Sequence, residues 1–371
     1  MSLENKNIYV SEPSLPELNQ LIPYLQKIWE SKYLTNNGQF HQELEQKLCD
    51  YLGVKYISLF SNGTLALITA MQHLNLAGEV ITTPFSFVAT THSLFWNNLS
   101  PVFVDVEPDT FNLDPDKIEA AITPKTSAIM PVHVYGNPCN VYRIQEIADK
   151  HKLKVIYDAC HTFGVTLKGI PVLNFGDLSV MSFHATKVYN TFEGGAIISH
   201  TLEDKKRIDK LKNFGFTGEI TLDEIGLNAK VNEFSAALGI LQLTKVDEYI
   251  LKRKEIAYYY REKLKEIAGI SYFNDFDGVK HCYSYFPILI DEKKLGKSRD
   301  DVYEELKAHN IFSRRYFYPL ISQFEPYKNL PSAAKGKMPV AEKIAEEVLC
   351  LPLHPNLTLE DCDKITKIIK S

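Results

Sequence analysis

Short apolar runs alternate with amphipathic segments from Val54 to Phe183, and this alternation limits the folds open to the chain more than any other feature. The apolar runs are rich in β-branched residues and read VKYISLF, EVITTP, PVFVDV, SAIMPVHV, KVIYDA and LSVMSF. Helical patterns such as NPCNVYRIQEIADKHKL and LDPDKIEAAI lie between them. Strands and helices that alternate in this way form a mostly parallel sheet covered by helices. The sequence therefore predicts an α/β domain.

The sequence changes in character after Asn232. The stretch NEFSAALGILQLTKVDEYILKRKEIAYYYREKLKEIAG keeps a helical period with Gly239 as its one internal breaker, which predicts one or two long helices. Shorter units follow Gly269, including the strand-like YSYFPILI and the helical RDDVYEELKAHN. We therefore predict a large domain over residues 1–245 and a smaller C-terminal α+β domain over residues 246–371.

Composition and charge exclude several classes of protein. The 371 residues are 45% hydrophobic and 23% charged, which is typical of a globular protein. The net charge of −5, without a block of like charges, argues against nucleic acid as a partner. The six cysteines lack the paired spacing of zinc or redox sites, so we expect no metal. No stretch matches a signal peptide or a membrane span, and we expect a cytoplasmic protein.

The first apolar run ends in SNGTLALITAM, where the chain turns directly into an apolar helix. Backbone N–H groups at a helix N-terminus bind phosphate well, and Gly63 would let an anion approach the backbone closely. The alternative is a simple turn between strand and helix with Thr64 as the helix cap. No G-x-G-x-x-G follows a strand and no P-loop is present, so neither a nicotinamide cofactor nor ATP is supported.

Another run ends in VIYDACHTFG, which places Asp158 and His161 at the carboxyl edge of the predicted sheet. Ligands bind at this edge in open α/β folds. A carboxylate there can hold a protonated ring nitrogen, and a histidine three residues later can lie against the ring. The alternatives are a helix cap for Asp158 and a half-buried aromatic filler for His161.

Lys187 follows the run LSVMSF in SFHATKVYNTFEGGA and lies at the same predicted edge. Its aromatic neighbours Phe183, Tyr189 and Phe192 predict partial desolvation, which lowers the pKa of a lysine and makes it nucleophilic toward a carbonyl. The alternative is a surface lysine after a strand. A phosphate-binding turn, a carboxylate for a ring nitrogen and an imine-forming lysine are, together, the three attachments that pyridoxal phosphate needs.

The chain resembles the pyridoxal-phosphate sugar aminotransferases of the DegT/StrS family over nearly its whole length. The resemblance is carried by SNGTLAL, PFSFVATTHS, PVFVDVEPDTFNLDP, IMPVHVYG, YDACHTFG, SFHATKVYNTFEGGAI and VLCLPLHPNLT. It implies the fold of the type I aminotransferases, with a large domain built on a mostly parallel seven-stranded sheet and a smaller C-terminal α+β domain. It also implies a homodimer with shared active sites.

The resemblance implies a role for each residue that matches a family motif. Lys187 would hold the cofactor covalently and afterwards move protons, Asp158 would pair with the ring nitrogen, and His161 would lie near the ring. The other implied cofactor contacts are Phe87 on the opposite ring face, Gly63, Thr64 and Ser182 at the phosphate, and, from the partner subunit, Asn228. The implied cofactor is pyridoxal 5'-phosphate.

The reaction implied by the resemblance is transfer of an amino group from L-glutamate to a keto sugar carried on a nucleoside diphosphate. Some relatives eliminate water instead and have histidine at the cofactor lysine, whereas this chain has Lys187. The expected acceptor is C4 of dTDP-4-keto-6-deoxyglucose, for lipopolysaccharide or O-antigen biosynthesis. Alternatives are amination at C3 of a dTDP-3-keto-6-deoxyhexose, or at C4 to the galacto epimer. A regulator that binds an amino-sugar nucleotide without turnover is an alternative of another class.

Substrate contacts are implied in three stretches of the chain. The matching positions are Tyr33, Thr35 and Asn36 in KYLTNNG, Glu193 in the EGG turn, and Tyr316 and Tyr318 in SRRYFYPL. Arg314 or Arg315 would meet a diphosphate by paired hydrogen bonds, and the alternative for these two is an exposed surface pair.

Overall fold

The structure is a computed structural model that describes residues 7–371. Its strands are β1 (Ile8–Tyr9), β2 (Tyr56–Phe60), β3 (Glu79–Thr82), β4 (Ser100–Phe103), β5 (Thr126–Met130), β6 (Lys154–Asp158), β7 (Thr166–Leu167), β8 (Ile170–Pro171), β9 (Leu178–Ser182), β10 (Gly195–Ser199), β11 (Ile270–Tyr272), β12 (Val279–Lys280), β13 (Phe286–Ile290), β14 (Ile311–Phe312) and β15 (Val348–Leu351). Its α-helices are α1 (Leu18–Ser31), α2 (Gln39–Leu52), α3 (Gly63–His73), α4 (Ala89–Trp96), α5 (Ile118–Ala121), α6 (Val141–His151), α7 (Leu202–Leu211), α8 (Glu233–Leu243), α9 (Val246–Leu264), α10 (Glu292–Leu295), α11 (Arg299–Ala308), α12 (Pro339–Glu347) and α13 (Leu359–Lys370).

A seven-stranded sheet with the order β2-β10-β9-β6-β5-β3-β4 organises the first part of the chain. Strands β9, β6, β5, β3 and β4 are mutually parallel, whereas β10 is antiparallel to both β2 and β9. Each of the six predicted apolar runs overlaps one of these strands. The prediction of an α/β fold with a large, mostly parallel seven-stranded sheet is therefore confirmed.

The core of this sheet holds the strand ends in place. Ile156 in β6 and Val180 in β9 are fully buried and pack with Ala66 and Ala70 of α3. Full burial of one such aliphatic side chain contributes about 1.5–3 kcal/mol to folding. Because parallel strands end at the same edge of a sheet, the residues that follow β2, β6 and β9 come together there.

The C-terminal part of the chain forms a second, antiparallel sheet with the order β11-β13-β15. Helices α9, α11 and α13 pack around it, with Tyr260, Ile288 and Ile365 fully buried in the shared core. The predicted boundary at residue 245 falls between α8 and α9. Another apolar cluster joins Phe85 to Phe317, so side chains from both parts pack together. The division into two domains stays a prediction.

Two further properties concern the described residues. No helix between residues 7 and 371 has the length and apolar character needed to cross a membrane. Within the same range, no group of three or more His, Cys, Asp or Glu side chains is arranged to hold a metal ion.

Candidate active site

A cavity of about 1170 Å³ opens where β2, β6 and β9 end. Nine predicted site residues line it: Gly63, Thr64, Phe87, Asp158, His161, Ser182, Lys187, Glu193 and Tyr316. Five others, Tyr33, Thr35, Asn36, Tyr318 and Asn228, are not part of its wall. The sheet therefore gathers the predicted cofactor contacts into one place, with the exception of Asn228.

The N-terminus of α3 and Ser182 form one end of this wall. The side chain of Asn62 caps α3 by accepting a hydrogen bond of 2.9 Å from the N–H of Leu65. A Cβ atom on Gly63 would come within 3.1 Å of the Ser182 Cβ, and one on Gly195 within 2.7 Å of the Gly63 nitrogen. Glycine at these two positions lets the helix start, the end of β9 and β10 approach closely. The result is a narrow cradle of backbone N–H groups and a hydroxyl, which suits a phosphate.

Asp158 lies on the same wall and is 5% exposed. Its Oδ2 accepts a hydrogen bond of 2.8 Å from the Thr90 hydroxyl, and its Oδ1 accepts one of 3.2 Å from the N–H of Cys160. Ser86 is in turn within 2.8 Å of the Thr90 hydroxyl. The two donors fix the orientation of the buried carboxylate, as a group that holds a cationic ring nitrogen requires.

His161 is buried beside Asp158 and lines the cavity. Burial lowers the pKa of His161 well below its usual value, and the charge of Lys187 lowers it further. The Nδ1 atom accepts a hydrogen bond of 3.2 Å from the N–H of Tyr135. The neutral ring therefore carries its proton on Nε2 and acts as a hydrogen-bond donor at that atom.

Lys187 is partly buried, and its Nζ donates to the hydroxyl of Tyr285 over 3.5 Å. Burial acts to lower the pKa of Lys187, but Tyr285, Cys160 and Asp158 act in the opposite direction, and the pKa is raised overall. Desolvation therefore acts in the predicted direction, but the prediction of a lowered pKa for Lys187 is wrong because these polar groups outweigh it. The sequence does not show the polar groups that surround Nζ in the fold.

Two of the aromatic residues that were predicted to desolvate Lys187 lie in the apolar core instead. Phe183 and Tyr189 are almost fully buried and pack on Phe163, with a stacked separation of 4.3 Å between the rings of Phe163 and Tyr189. These rings are part of the apolar core beside the loop that carries Lys187. Two large aromatic side chains on the cavity wall are exposed, Trp96 at 76% and Phe87 at 59%, and Phe87 offers a face for stacking.

Three predicted residues that are absent from the wall occupy the chain surface. Asn228 is exposed, and its Oδ1 accepts a hydrogen bond of 2.7 Å from Lys230. The Thr35 hydroxyl donates to the carbonyl of Val231 over 3.5 Å, and the exposed Tyr33 lies two residues earlier in the chain. Residues 33–36 and 228–231 are therefore adjacent, and their roles at an active site stay predictions.

Only part of the stretch 314–318 lies at the cavity. Tyr316 lines it, whereas the ring of Tyr318 lies 4.4 Å below the guanidinium of Arg299. Arg315 forms an ion pair of 2.8 Å with Asp300, and Arg314 is exposed. Of the two candidate arginines, Arg315 is thus already engaged with a carboxylate.

The sequence reading missed several residues of the wall. Asn62, Ser86, Thr90, His184 and Tyr285 all line the cavity. All of them except Tyr285 lie in three motifs that were singled out for other positions: SNGTLAL, PFSFVATTHS and SFHATKVYNTFEGGA. Tyr285 precedes β13 and carries no local signal, because only the fold brings it to Lys187.

The chain belongs to the DegT/DnrJ/EryC1/StrS aminotransferase family, whose model matches residues 17–370. It is an aminotransferase by this membership. It is 53% identical over 368 residues to the dTDP-4-amino-4,6-dideoxy-D-glucose transaminase of Escherichia coli, and the match covers 99% of each chain. It is 33% identical over 347 residues to GDP-perosamine synthase of Caulobacter vibrioides, with 92% of each chain covered.

Solved structures of other aminotransferases have the same fold as this chain. The chain superposes on DesI, whose crystal structure was determined in the presence of its TDP-sugar product, with a TM-score of 0.94 and 35% sequence identity. That match covers 99% of this chain and 93% of DesI. For PseC of Helicobacter pylori, an aminotransferase involved in the biosynthesis of pseudoaminic acid, the TM-score is 0.90 at 30% identity, and the match covers 98% of both chains.

Proposed function

We propose that this protein transfers an amino group from L-glutamate to C4 of dTDP-4-keto-6-deoxyglucose and so forms dTDP-4-amino-4,6-dideoxyglucose. The observation that carries the proposal is a single cavity wall that combines the phosphate cradle at Gly63 and Ser182, the buried carboxylate of Asp158 and the amine of Lys187. The choice of sugar is supported by the 53% identity to relatives named as transaminases for this product in Escherichia coli and Shigella dysenteriae.

The cofactor is pyridoxal 5'-phosphate, and the wall has the donors and acceptors that it needs. Gly63, Thr64 and Ser182 would hold the phosphate, Asp158 the protonated ring nitrogen, and Phe87 one face of the ring. When bound, the cofactor supplies an electron sink for the carbon that bears the transferred nitrogen. Gly63 and Gly195 add no side-chain atoms to the cradle, and a Cβ at either position would crowd Ser182 or the start of α3.

The protein's own side chains supply orientation and proton transfer. Thr90 and the N–H of Cys160 fix the carboxylate of Asp158 toward the cationic ring nitrogen that it would face. His161, neutral and protonated on Nε2, would donate a hydrogen bond in the cavity without adding charge. The Nζ of Lys187 would remove the proton from the α-carbon of the amino donor and, in the second half of the reaction, deliver a proton to the sugar carbon that receives the nitrogen.

A second copy of the chain would complete the site. Asn228, Tyr33 and Thr35 lie at the surface and outside the cavity wall of their own chain, as expected for residues that serve a partner's cavity. Two large apolar side chains of the cavity wall, Trp96 and Ile225, are 76% and 86% exposed. Cover by a second copy would remove this apolar surface from water. We place the homodimer in the cytoplasm, with a product used for lipopolysaccharide or O-antigen.

Incubation of the purified protein with pyridoxal phosphate, L-glutamate and dTDP-4-keto-6-deoxyglucose tests the proposal. We expect an amino sugar whose ring-proton couplings, measured by NMR, place the nitrogen at C4 in the gluco configuration. The Lys187→Ala variant should form none, whereas the exposed Lys206→Ala variant should match the wild type. Nitrogen at C3, a galacto product, or tight binding without turnover would each overturn the proposed reaction.

A further inference from the structure

The phenol of Tyr285 reaches Lys187 from the C-terminal part of the chain. Lys187 Nζ lies 3.5 Å from the Tyr285 hydroxyl, at the long end of the hydrogen-bond range, and 5.9 Å from the centre of its ring. Among residues 7–371, this hydroxyl is the one hydrogen-bond partner of Nζ. Tyr285 also lines the cavity, so the contact faces the space where the chemistry would occur.

Neighbouring contacts hold Tyr285 firmly in this place. The hydroxyl of Ser284 donates to the carbonyl of His161 over 2.6 Å, and the thiol of Cys282 is 3.1 Å from the same carbonyl. The Tyr285 ring packs edge-on against His161 at 5.0 Å and against Tyr316 at 5.7 Å. Hydrogen bonds thus hold the segment of Tyr285 against the turn that follows β6, the strand that ends at Asp158.

A phenol hydroxyl can hydrogen-bond an amine in both of its charge states. A lysine that bonds a cofactor and moves protons alternates between ammonium and neutral amine. A tyrosine hydroxyl can accept a hydrogen bond from the ammonium and donate one to the neutral amine, whereas a carboxylate can only accept. A carboxylate in this place would also hold the ammonium in an ion pair and oppose the loss of its proton.

We propose that Tyr285 is a positioning residue for Lys187, whose hydroxyl holds Nζ at the cavity in both protonation states of the amine. This inference rests on the proposed role of Lys187. The electrostatics agree with it: burial acts against the ammonium form, and Tyr285 is the foremost of the groups that raise the pKa of Lys187.

The Tyr285→Phe variant tests the proposal because it removes the hydroxyl and keeps the ring contacts. The rate at which trinitrobenzenesulfonate modifies Lys187 is measured against pH in the cofactor-free protein, with the modified peptide quantified by mass spectrometry. We expect the midpoint for Lys187 to fall by about one pH unit in the variant. Tyr283→Phe is the matched control, because the Tyr283 hydroxyl bonds Asp275 instead, over 2.8 Å. Equal midpoints in all three proteins, or equal shifts in both variants, would overturn the proposal.

Kinetics of the loaded enzyme give the second readout. In Tyr285→Phe we expect kcat to fall about tenfold, with the KM for the nucleotide sugar within about twofold of the wild type, because the contact acts on Lys187 and not on substrate binding. Tyr285→Met also lacks the hydroxyl, so its kcat should fall to a similar extent if the hydroxyl is responsible. An unchanged kcat in both would refute the role. A wild type that makes no amino sugar would defeat the proposed function alone, since the cofactor-free titration still decides the role of Tyr285.

Discussion

The hydroxyl of Thr90 donates a hydrogen bond of 2.8 Å to the carboxylate of Asp158, although 68 residues separate them in the chain. Both side chains are almost fully buried. Thr90 lies in the first turn of α4, and Asp158 is the last residue of β6. The position of α4 therefore controls the orientation of the carboxylate proposed to hold the cofactor ring.

Replacement of Thr90 by valine should slow catalysis, although the two side chains have nearly the same shape. The variant leaves one oxygen of the buried carboxylate without its donor, a loss of about 1.5–3 kcal/mol for a hydrogen bond to a charged group. We expect kcat to fall about tenfold or more, since about 1.4 kcal/mol corresponds to a factor of ten. Steady-state rates with glutamate and the keto-sugar nucleotide measure the effect.

The neighbouring Thr91→Val variant is the control for this prediction. Thr91 is fully buried like Thr90, but its hydroxyl has no hydrogen-bond partner within residues 7–371. Its replacement should leave kcat unchanged. If both variants lose the same activity, then packing of α4 and not the bond to Asp158 is responsible.

Gly195→Ala should damage the phosphate cradle without touching the cavity-lining side chains. A Cβ atom at Gly195 would lie 2.6–2.8 Å from the backbone of Asn62 and Gly63, so the start of α3 must move. Overpacking of this kind costs about 1–3 kcal/mol. We expect a lower melting temperature and about a tenfold weaker affinity for pyridoxal phosphate, measured by titration of the cofactor-free protein.

Gly218→Ala provides the comparison for Gly195→Ala. The nearest atom to a Cβ on Gly218 belongs to Thr221 at 3.7 Å, which is an ordinary contact. Cofactor affinity and melting temperature should stay at the wild-type values. Wild-type cofactor affinity in Gly195→Ala would show that the cradle tolerates the extra methyl group.

Acid should destabilise the protein through histidines that are buried in the neutral form. Burial lowers the pKa of His133 to about 3. Above about pH 6.5 the ring is neutral in both folded and unfolded states and contributes no pH dependence. Between about pH 6.5 and 3 only the unfolded state binds the proton, so stability falls by up to about 1.4 kcal/mol per pH unit for each such residue.

Urea unfolding at pH 7, 6 and 5 measures this dependence. In His133→Asn, whose amide oxygen can replace Nδ1 as acceptor for the N–H of Cys139, the loss of stability between pH 7 and 5 should be smaller than in the wild type. His309→Asn is the control, because His309 is exposed. If the free energy of unfolding changes with pH equally in His133→Asn and the wild type, then buried His133 is not a source of the acid sensitivity.

The sequence was sufficient for those parts of the fold and site that depend on local pattern. Each predicted apolar run overlaps a strand, and Asp158, Ser182 and Lys187 lie at or shortly after strand ends, which places them at one edge. Strand β10 was not predicted, because GAIIS directly follows the loop of Lys187 without an intervening helix.

Tertiary contacts account for what the sequence did not reveal. Thr90 and Tyr285 reach the site from 68 and 98 residues away from their partners, and no spacing rule connects such positions. The same reason explains the error on the pKa of Lys187. Its sequence neighbours are aromatic, whereas the groups that raise the pKa, Tyr285 and Asp158 among them, come from other elements.

Subunit mixing tests whether Asn228 acts in the cavity of a second copy. Lys187→Ala and Asn228→Ala are each expected to abolish or strongly reduce activity alone. In a mixed dimer, one cavity would carry both defects, and the other would combine an intact Lys187 with an intact Asn228. Random exchange makes about half of the dimers mixed, so the mixture should recover about a quarter of wild-type activity.

The exchange is carried out by unfolding and refolding the two variants together, and activity is compared with that of the same variants refolded separately and then combined. Recovery only in the co-refolded sample is the expected result, because a shared cavity needs subunits of both kinds in one particle. If co-refolding restores nothing while size-exclusion chromatography shows mixed dimers of differently tagged chains, then Asn228 acts within its own chain. In that case Tyr33 and Thr35, which lie beside Asn228, would lose their proposed role at the partner's cavity as well.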